Sequence, residues 1–213
     1  MNSSQRPALL SLALIGLLAW DCHATAEAPK AGASAAKPAA ASAPFGTEEL
    51  LRLLARDRPL AVPFEETAVN NMLTAPLHSR GLLSFTPPTT LEKRIDTPQQ
   101  ERYLVTGDQL LVENKAQQIH QTLSLQDYPM LRAFVEAFRS TLAGDSASLR
   151  RYYALDVSGG AWRWILRLQP LDASVREFVA SISLSGERDH VTAIQILTPD
   201  GNSSKMVIGP WPP

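Results

Sequence analysis

The chain has 213 residues, with 20 Lys and Arg set against 21 Asp and Glu, four His and a single Cys. A formal charge of −1 argues against a broad nucleic-acid footprint, and one cysteine excludes an internal disulfide or a four-thiolate metal cage. An apolar content of 45% with 19% charged residues is that of an ordinary globular chain.

The N-terminus reads as an address. Arg6 precedes the 13-residue apolar run Ala8–Trp20, and Ala24-Thr25-Ala26 offers a small-x-small cleavage site, so residues 1–26 are predicted to be a signal peptide cleaved near Ala26. At ~1.5 Å per residue the run spans about 20 Å, short of the ~30 Å hydrocarbon core. Cys22 follows Trp20-Asp21 rather than small residues, which favours a soluble mature chain over one acylated at Cys22. Residues 27–44, built from Ala, Pro, Ser, Gly and Lys, have no large apolar side chain to bury and read as a flexible linker. Residues 45–213 form the folded domain.

That domain opens with a helix capped by Thr47, with Glu48 and Glu49 at its positive end and Leu50, Leu51, Leu53 and Leu54 along one side. From Leu77 to Phe85 the period becomes two: Leu77, Leu83 and Phe85 share a face against His78 and Arg80, until Pro87-Pro88. Gly107-Asp108 joins Glu101–Thr106 to Gln109–Asn114 as a hairpin, and Gln118–Leu125 alternates again. A second helix follows, with Asp127 as its cap and Pro129 in its first turn. Leu131, Phe134, Val135, Phe138 and Leu142 lie on one side of it, opposite Arg132, Glu136, Arg139 and Ser140. Gly144 ends this helix, and Asp145 caps a short third one through Arg151. Strands Tyr153–Ser158 and Trp162–Leu168 meet at Gly159-Gly160, the second placing Trp162, Trp164, Leu166 and Leu168 opposite Arg163 and Arg167. A short helix over Asp172–Val179 and strands at Ile182–Leu184, Val191–Thr198 and Lys205–Ile208 complete the chain. The sum is an antiparallel, one-sided sheet with amphipathic helices laid against it.

Reactive chemistry is sparse. His23, His78, His120 and His190 are scattered, with no second ligand at helical or strand spacing, so no metal is predicted. No G-x-S-x-G elbow and no glycine-rich nucleotide loop occurs. Glu65 and Glu66 are neighbours on extended chain and so point to opposite faces, which suits exposed charges better than an acid/base pair. What remains is apolar: Leu83, Phe85, Tyr103, Leu123, Leu131, Phe134, Phe138, Trp164 and Leu166 either fill a core or line a cleft between sheet and helices.

The order of several short segments carries a resemblance. Phe64-Glu65-Glu66, then Pro76-Leu77, Ser79, Gly81, Leu83, Phe85 and Pro88, then Leu91-Glu92-Lys93, resembles the LolA family of periplasmic lipoprotein carriers. Gly107-Asp108, Leu142-Ala143-Gly144-Asp145, Leu184-Ser185-Gly186 and Asp200-Gly201-Asn202-Ser203 point to a divergent branch of it, over residues 47–208. The resemblance implies an α+β fold: an antiparallel incomplete β-barrel, or half-barrel, with helices lidding its concave apolar face. It also implies a non-enzymatic carrier in the periplasm, without a cofactor, whose nine apolar residues above are lipid-binding. Its implied partners are an acyl-lipid or lipoprotein cargo, an inner-membrane donor and an outer-membrane acceptor, and the carrier itself is a monomer. A lipid-anchored acceptor like LolB, requiring an acylated Cys22, and a periplasmic sensor or scaffold of the same fold are the alternatives. One departure stands out: alignment puts Pro87 where the family has an arginine that latches the lid, leaving Arg80 or Arg94 as substitutes.

Overall fold

The computed structural model describes residues 45–210; the predicted signal peptide with Cys22 and His23, and the linker over 27–44, lie outside the described residues. Eleven strands among these residues form one sheet in which every neighbouring pair is antiparallel. The first six are β1 (Leu60–Val69), β2 (Leu77–Thr86), β3 (Thr90–Thr97), β4 (Glu101–Thr106), β5 (Gln109–Asn114) and β6 (Ile119–Ser124). The last five are β7 (Tyr153–Gly160), β8 (Arg163–Pro170), β9 (Ser181–Glu187), β10 (His190–Leu197) and β11 (Ser203–Ile208). The sheet order is β6-β5-β4-β3-β2-β1-β11-β10-β9-β8-β7, so β6 and β7 are its two free edges and the barrel does not close.

Four helices complete the chain: α1 (Thr47–Leu54), α2 (Pro129–Ala143), α3 (Ser146–Tyr152) and α4 (Ala173–Arg176). Their position follows from connectivity. The first meander ends at edge β6, the second begins at edge β7, and α2 with α3 is the chain between them. The 15 residues of α2 give a rod of about 22 Å, and its residues face those of the strands across the interior. The half-barrel with a helical lid is therefore the fold of this chain.

Alternation along the strands separates the faces. β8 is the clearest case, with Trp164, Leu166, Leu168 and Pro170 buried and Arg163, Ile165, Arg167 and Gln169 exposed. Trp162 departs from its predicted place. It stands in the turn before β8, 71% exposed, with the Arg188 guanidinium 4.1 Å from its ring centroid. Two strands had no strand signature. β1 is interrupted by Pro63 and two glutamates, and β3 reads as a charged segment, yet both are central in the sheet.

Two predicted caps also differ. Gly46, not Thr47, precedes α1, and Tyr128, not Asp127, precedes α2; neither helix has a side-chain cap. Pro129 explains why α2 manages without one, since its ring fixes φ and it brings no N–H to satisfy. Asp145 and Asp172 do cap, each accepting from a backbone N–H at 2.9 and 2.8 Å. At its other end α2 stops at Gly144, in the left-handed region at φ 71°.

Candidate functional site

The concave side is divided. Its β7–β9 half is filled: Tyr153, Trp164, Leu166, Leu168 and Ile182 pack beneath Leu50, Leu51 and Leu54 of α1 and Leu149 of α3, all at 1% exposure or less. Trp164 is completely buried and its indole N–H donates to the Arg188 carbonyl at 2.8 Å. A Cβ placed on Gly186 would lie 2.2 Å from its ring, so this region has no room to spare.

The other half is not filled. Between α2 and the strands β1–β5 and β9–β11 lies a cavity of about 160 Å³. Leu60 and Val62 of β1, Leu83 and Phe85 of β2, Leu91 of β3, Val105 of β4 and Leu110 of β5 form one wall. Leu184, Ile194, Ile196, Met206 and Ile208 form the other, and Phe134, Val135, Phe138 and Leu142 of α2 form the roof. Phe134 and Phe138 meet edge to face, with ring centroids 5.0 Å apart, and both are only half-buried although they face the interior. Of the nine residues predicted to bind lipid, Leu83, Phe85, Tyr103, Phe134 and Phe138 line this cavity. Leu123, Leu131, Trp164 and Leu166 are buried without lining it.

One end of the cavity is polar, and here sequence reasoning missed the residues that matter. Glu65 is exposed as expected, but Glu66 points inward, its side chain 11% exposed. Its carboxylate accepts from Lys93 Nζ at 2.7 Å, from Ser79 Oγ at 3.3 Å and from Ser204 Oγ. Lys93, 16% exposed, also lies 5.3 Å above the Phe64 ring. Phe64, Gly81 and Ile95 are consecutive partners across β1, β2 and β3, so the bare Gly81 leaves room for Lys93 to reach over β2 to Glu66. The glycine is obligatory: a Cβ there would lie 1.8 Å from the Arg94 carbonyl oxygen, at the bulge between Arg80 and Gly81. Beside the pair, Tyr103 donates to Glu101 Oε2 at 2.6 Å, and Asn114 donates to Glu101 Oε1 at 3.1 Å. Burial first, then the Glu101 carboxylate, pushes the Tyr103 hydroxyl far above the usual phenol range, so it stays a donor.

The lid is tied down at several points. Arg139 Nη1 donates to the Gly107 carbonyl at 3.0 Å in the β4–β5 turn, and its other arm holds Glu136. Glu136 and Ser140, placed by periodicity on the side of α2 away from the apolar stripe, are buried as well, and Ser140 donates to Glu136 at 3.0 Å. Tyr153 donates to the Ala133 carbonyl at 2.9 Å. After α1, the Arg56 amide donates to the Leu142 carbonyl at 2.8 Å, and its side chain pairs with Asp189 at 3.0 Å in the β9–β10 turn. Neither substitute for the missing arginine is engaged here: Arg80 bonds Thr97 and Arg94 pairs with Asp96, all on exposed positions or strand ends.

Among the described residues no group of three His, Cys, Asp or Glu is placed to hold a metal ion, and no helix is long and apolar enough to cross a membrane. His78 sits against the Thr67 hydroxyl, His120 against the Glu113 carboxylate and His190 against the Asp189 carboxylate.

Residues 38–210 match the family model described as outer membrane lipoprotein carrier protein LolA-like. A search of curated proteins finds no match. Among solved structures, a LolA superfamily protein from Nitrosomonas europaea is 12% identical with a TM-score of 0.40, over 76% of this chain and 89% of that one. A chain of the MucA/MucB complex of Pseudomonas aeruginosa is 13% identical with a TM-score of 0.43, over 78% of this chain and 58% of that one. LprF from Mycobacterium bovis is 10% identical with a TM-score of 0.30, over 78% and 92%.

Proposed function

Since this chain belongs to the LolA-like outer membrane lipoprotein carrier family, we propose that it is a periplasmic, non-enzymatic carrier of acyl chains. Residues 1–26 export it and are removed near Ala26, residues 27–44 are a tether, and residues 45–213 take the hydrocarbon of a lipid or lipoprotein from the inner membrane toward an outer-membrane acceptor. It works as a monomer and without a cofactor.

The observation that supports this reading is the cavity beneath α2, almost wholly apolar and left unfilled beside a half that is packed solid. Its 160 Å³ is close to the ~150 Å³ apolar cavity that seats a benzene ring, about six carbons. At ~0.8 kcal/mol per methylene, six buried carbons are worth about 5 kcal/mol, against about 13 for a 16-carbon chain exposed to water. The closed form therefore holds the start of a tail, and a full tail enters as α2 lifts. Phe134 and Phe138, half-buried at the roof, and Leu83, Phe85 and Tyr103 on the wall are the contacts assigned to the tail; Leu123, Leu131, Trp164 and Leu166 support the wall.

Phe134→Glu and Phe138→Glu put a carboxylate into that space while leaving the filled half untouched. Native mass spectrometry of each variant, purified from the periplasm, is expected to show loss of the lipid that accompanies the wild-type protein. Retention of lipid at wild-type level in both variants would overturn the carrier assignment.

A further inference from the structure

The polar end of the cavity says which part of an acylated molecule lies there. Glu66 and Glu101 have their oxygens engaged, the first by Lys93, Ser79 and Ser204 and the second by Tyr103 and Asn114. Lys93 is different. An ammonium has three N–H donors, and among the described residues hydrogen bonding uses one, the bond to Glu66; the ring of Phe64 lies 5.3 Å from the same ammonium. Donor capacity remains at a lysine that itself lines the cavity, where the apolar wall gives way to polar groups.

The charge balance narrows what can take it up. Lys93 is paired with Glu66, and its cross-strand partner Tyr103 holds a second carboxylate, Glu101, so an incoming anion meets more negative than positive charge in a site shielded from water. A neutral oxygen acceptor meets no such opposition and leaves the Lys93–Glu66 pair intact. Attached to a hydrocarbon tail, that acceptor is an acyl carbonyl.

Resting on the carrier reading above, we infer that Lys93 is a specificity residue that hydrogen-bonds the ester or amide carbonyl of an acyl chain, so that the cavity selects esterified or amidated chains over free fatty acids. Gly81 and Glu66 set its position, the first by leaving its path open and the second by holding the ammonium. Phe134 and Phe138 then cover the tail beyond the carbonyl.

Four 16-carbon ligands separate the possibilities by displacement of a bound fluorescent apolar probe: 1-monopalmitoylglycerol, palmitoylethanolamide, 1-O-hexadecylglycerol and palmitate. The ether differs from the ester only in lacking the carbonyl. Ester and amide are each expected to bind at least about tenfold more tightly than ether or palmitate, as one hydrogen bond to a charged donor allows. Binding of the amide alone, or the ester alone, with that advantage identifies which linkage the site takes and still supports the inference. In Lys93→Met the advantage over the ether is expected to vanish while the ether binds as before. Since that variant leaves Glu66 without its counter-charge, Glu66→Gln/Lys93→Met, which keeps the Ser79 and Ser204 bonds, makes the same test if the single variant does not fold. Equal binding of ester and ether, tightest binding of palmitate, or an ester advantage that survives loss of Lys93 would each overturn the inference and leave the carrier reading standing. Failure of every ligand to displace the probe overturns both.

Discussion

Glu66 enters the interior as a carboxylate because its partners make the charged form the better one there. Burial raises its proton affinity, but the charge and hydrogen bond of Lys93, with the Ser204 and Ser79 hydroxyls, more than offset this, and its pKa falls below the ordinary 4.5. A carboxyl held lower in the folded state than in the unfolded one stabilises the fold fully above its unfolded value, and that stabilisation drains as pH falls through the folded value. Thermal melting between pH 6 and pH 3 is therefore expected to show a loss of stability beginning near 4.5, part of which disappears in Glu66→Gln. An identical acid profile in the variant would remove Glu66 from that account. Nothing local announced this role. Two consecutive glutamates on an extended segment look like surface charge, and the lysine that internalises one of them lies 27 residues away on a strand in which half the residues are charged.

Elements whose signals are local were legible from residue order alone. The Gly107-Asp108 hairpin, the helix over 129–143 and the Asp145 cap fall where turn chemistry, helical spacing and capping place them. β1 and β3 were not legible, because central strands that carry a polar site break the apolar alternation that identifies a strand. Trp162 continued an alternating pattern one position into a turn, which periodicity cannot see. The cavity was legible only as an excess of apolar residues, since filled and empty interiors use the same side chains. At this scale the junction of α2 with α1 makes a sharp prediction. Gly144 has φ 71°, and a Cβ on it would lie 2.9 Å from the Ala55 Cβ and 3.1 Å from the Leu51 carbonyl oxygen. Gly144→Ala is expected to destabilise the protein by about 1–3 kcal/mol, read as a lower urea midpoint. An unchanged midpoint would mean that α1 and α2 are not fixed against each other at this point.

Across the whole molecule, the sheet and its cover are built to different standards. β1, β2, β10 and β11 are paired on both sides, whereas α2 is held by the other helices, by single hydrogen bonds such as Arg139 to Gly107, and by contact with an incompletely filled space. Local opening starts where buried apolar contact is thinnest. Amides of α2 are therefore expected to exchange with deuterium well before those of β1, β2 and β11, and to slow when an acyl ligand is bound. Uniform exchange across helix and sheet would argue for a closed, rigid interior. The order of strands adds one consequence. Because α2 and α3 join edge β6 to edge β7, the cover is a strap stitched at both ends, not a flap hinged at one. Its travel is bounded by the chain, and its return after lifting is a first-order step whose rate does not depend on protein concentration.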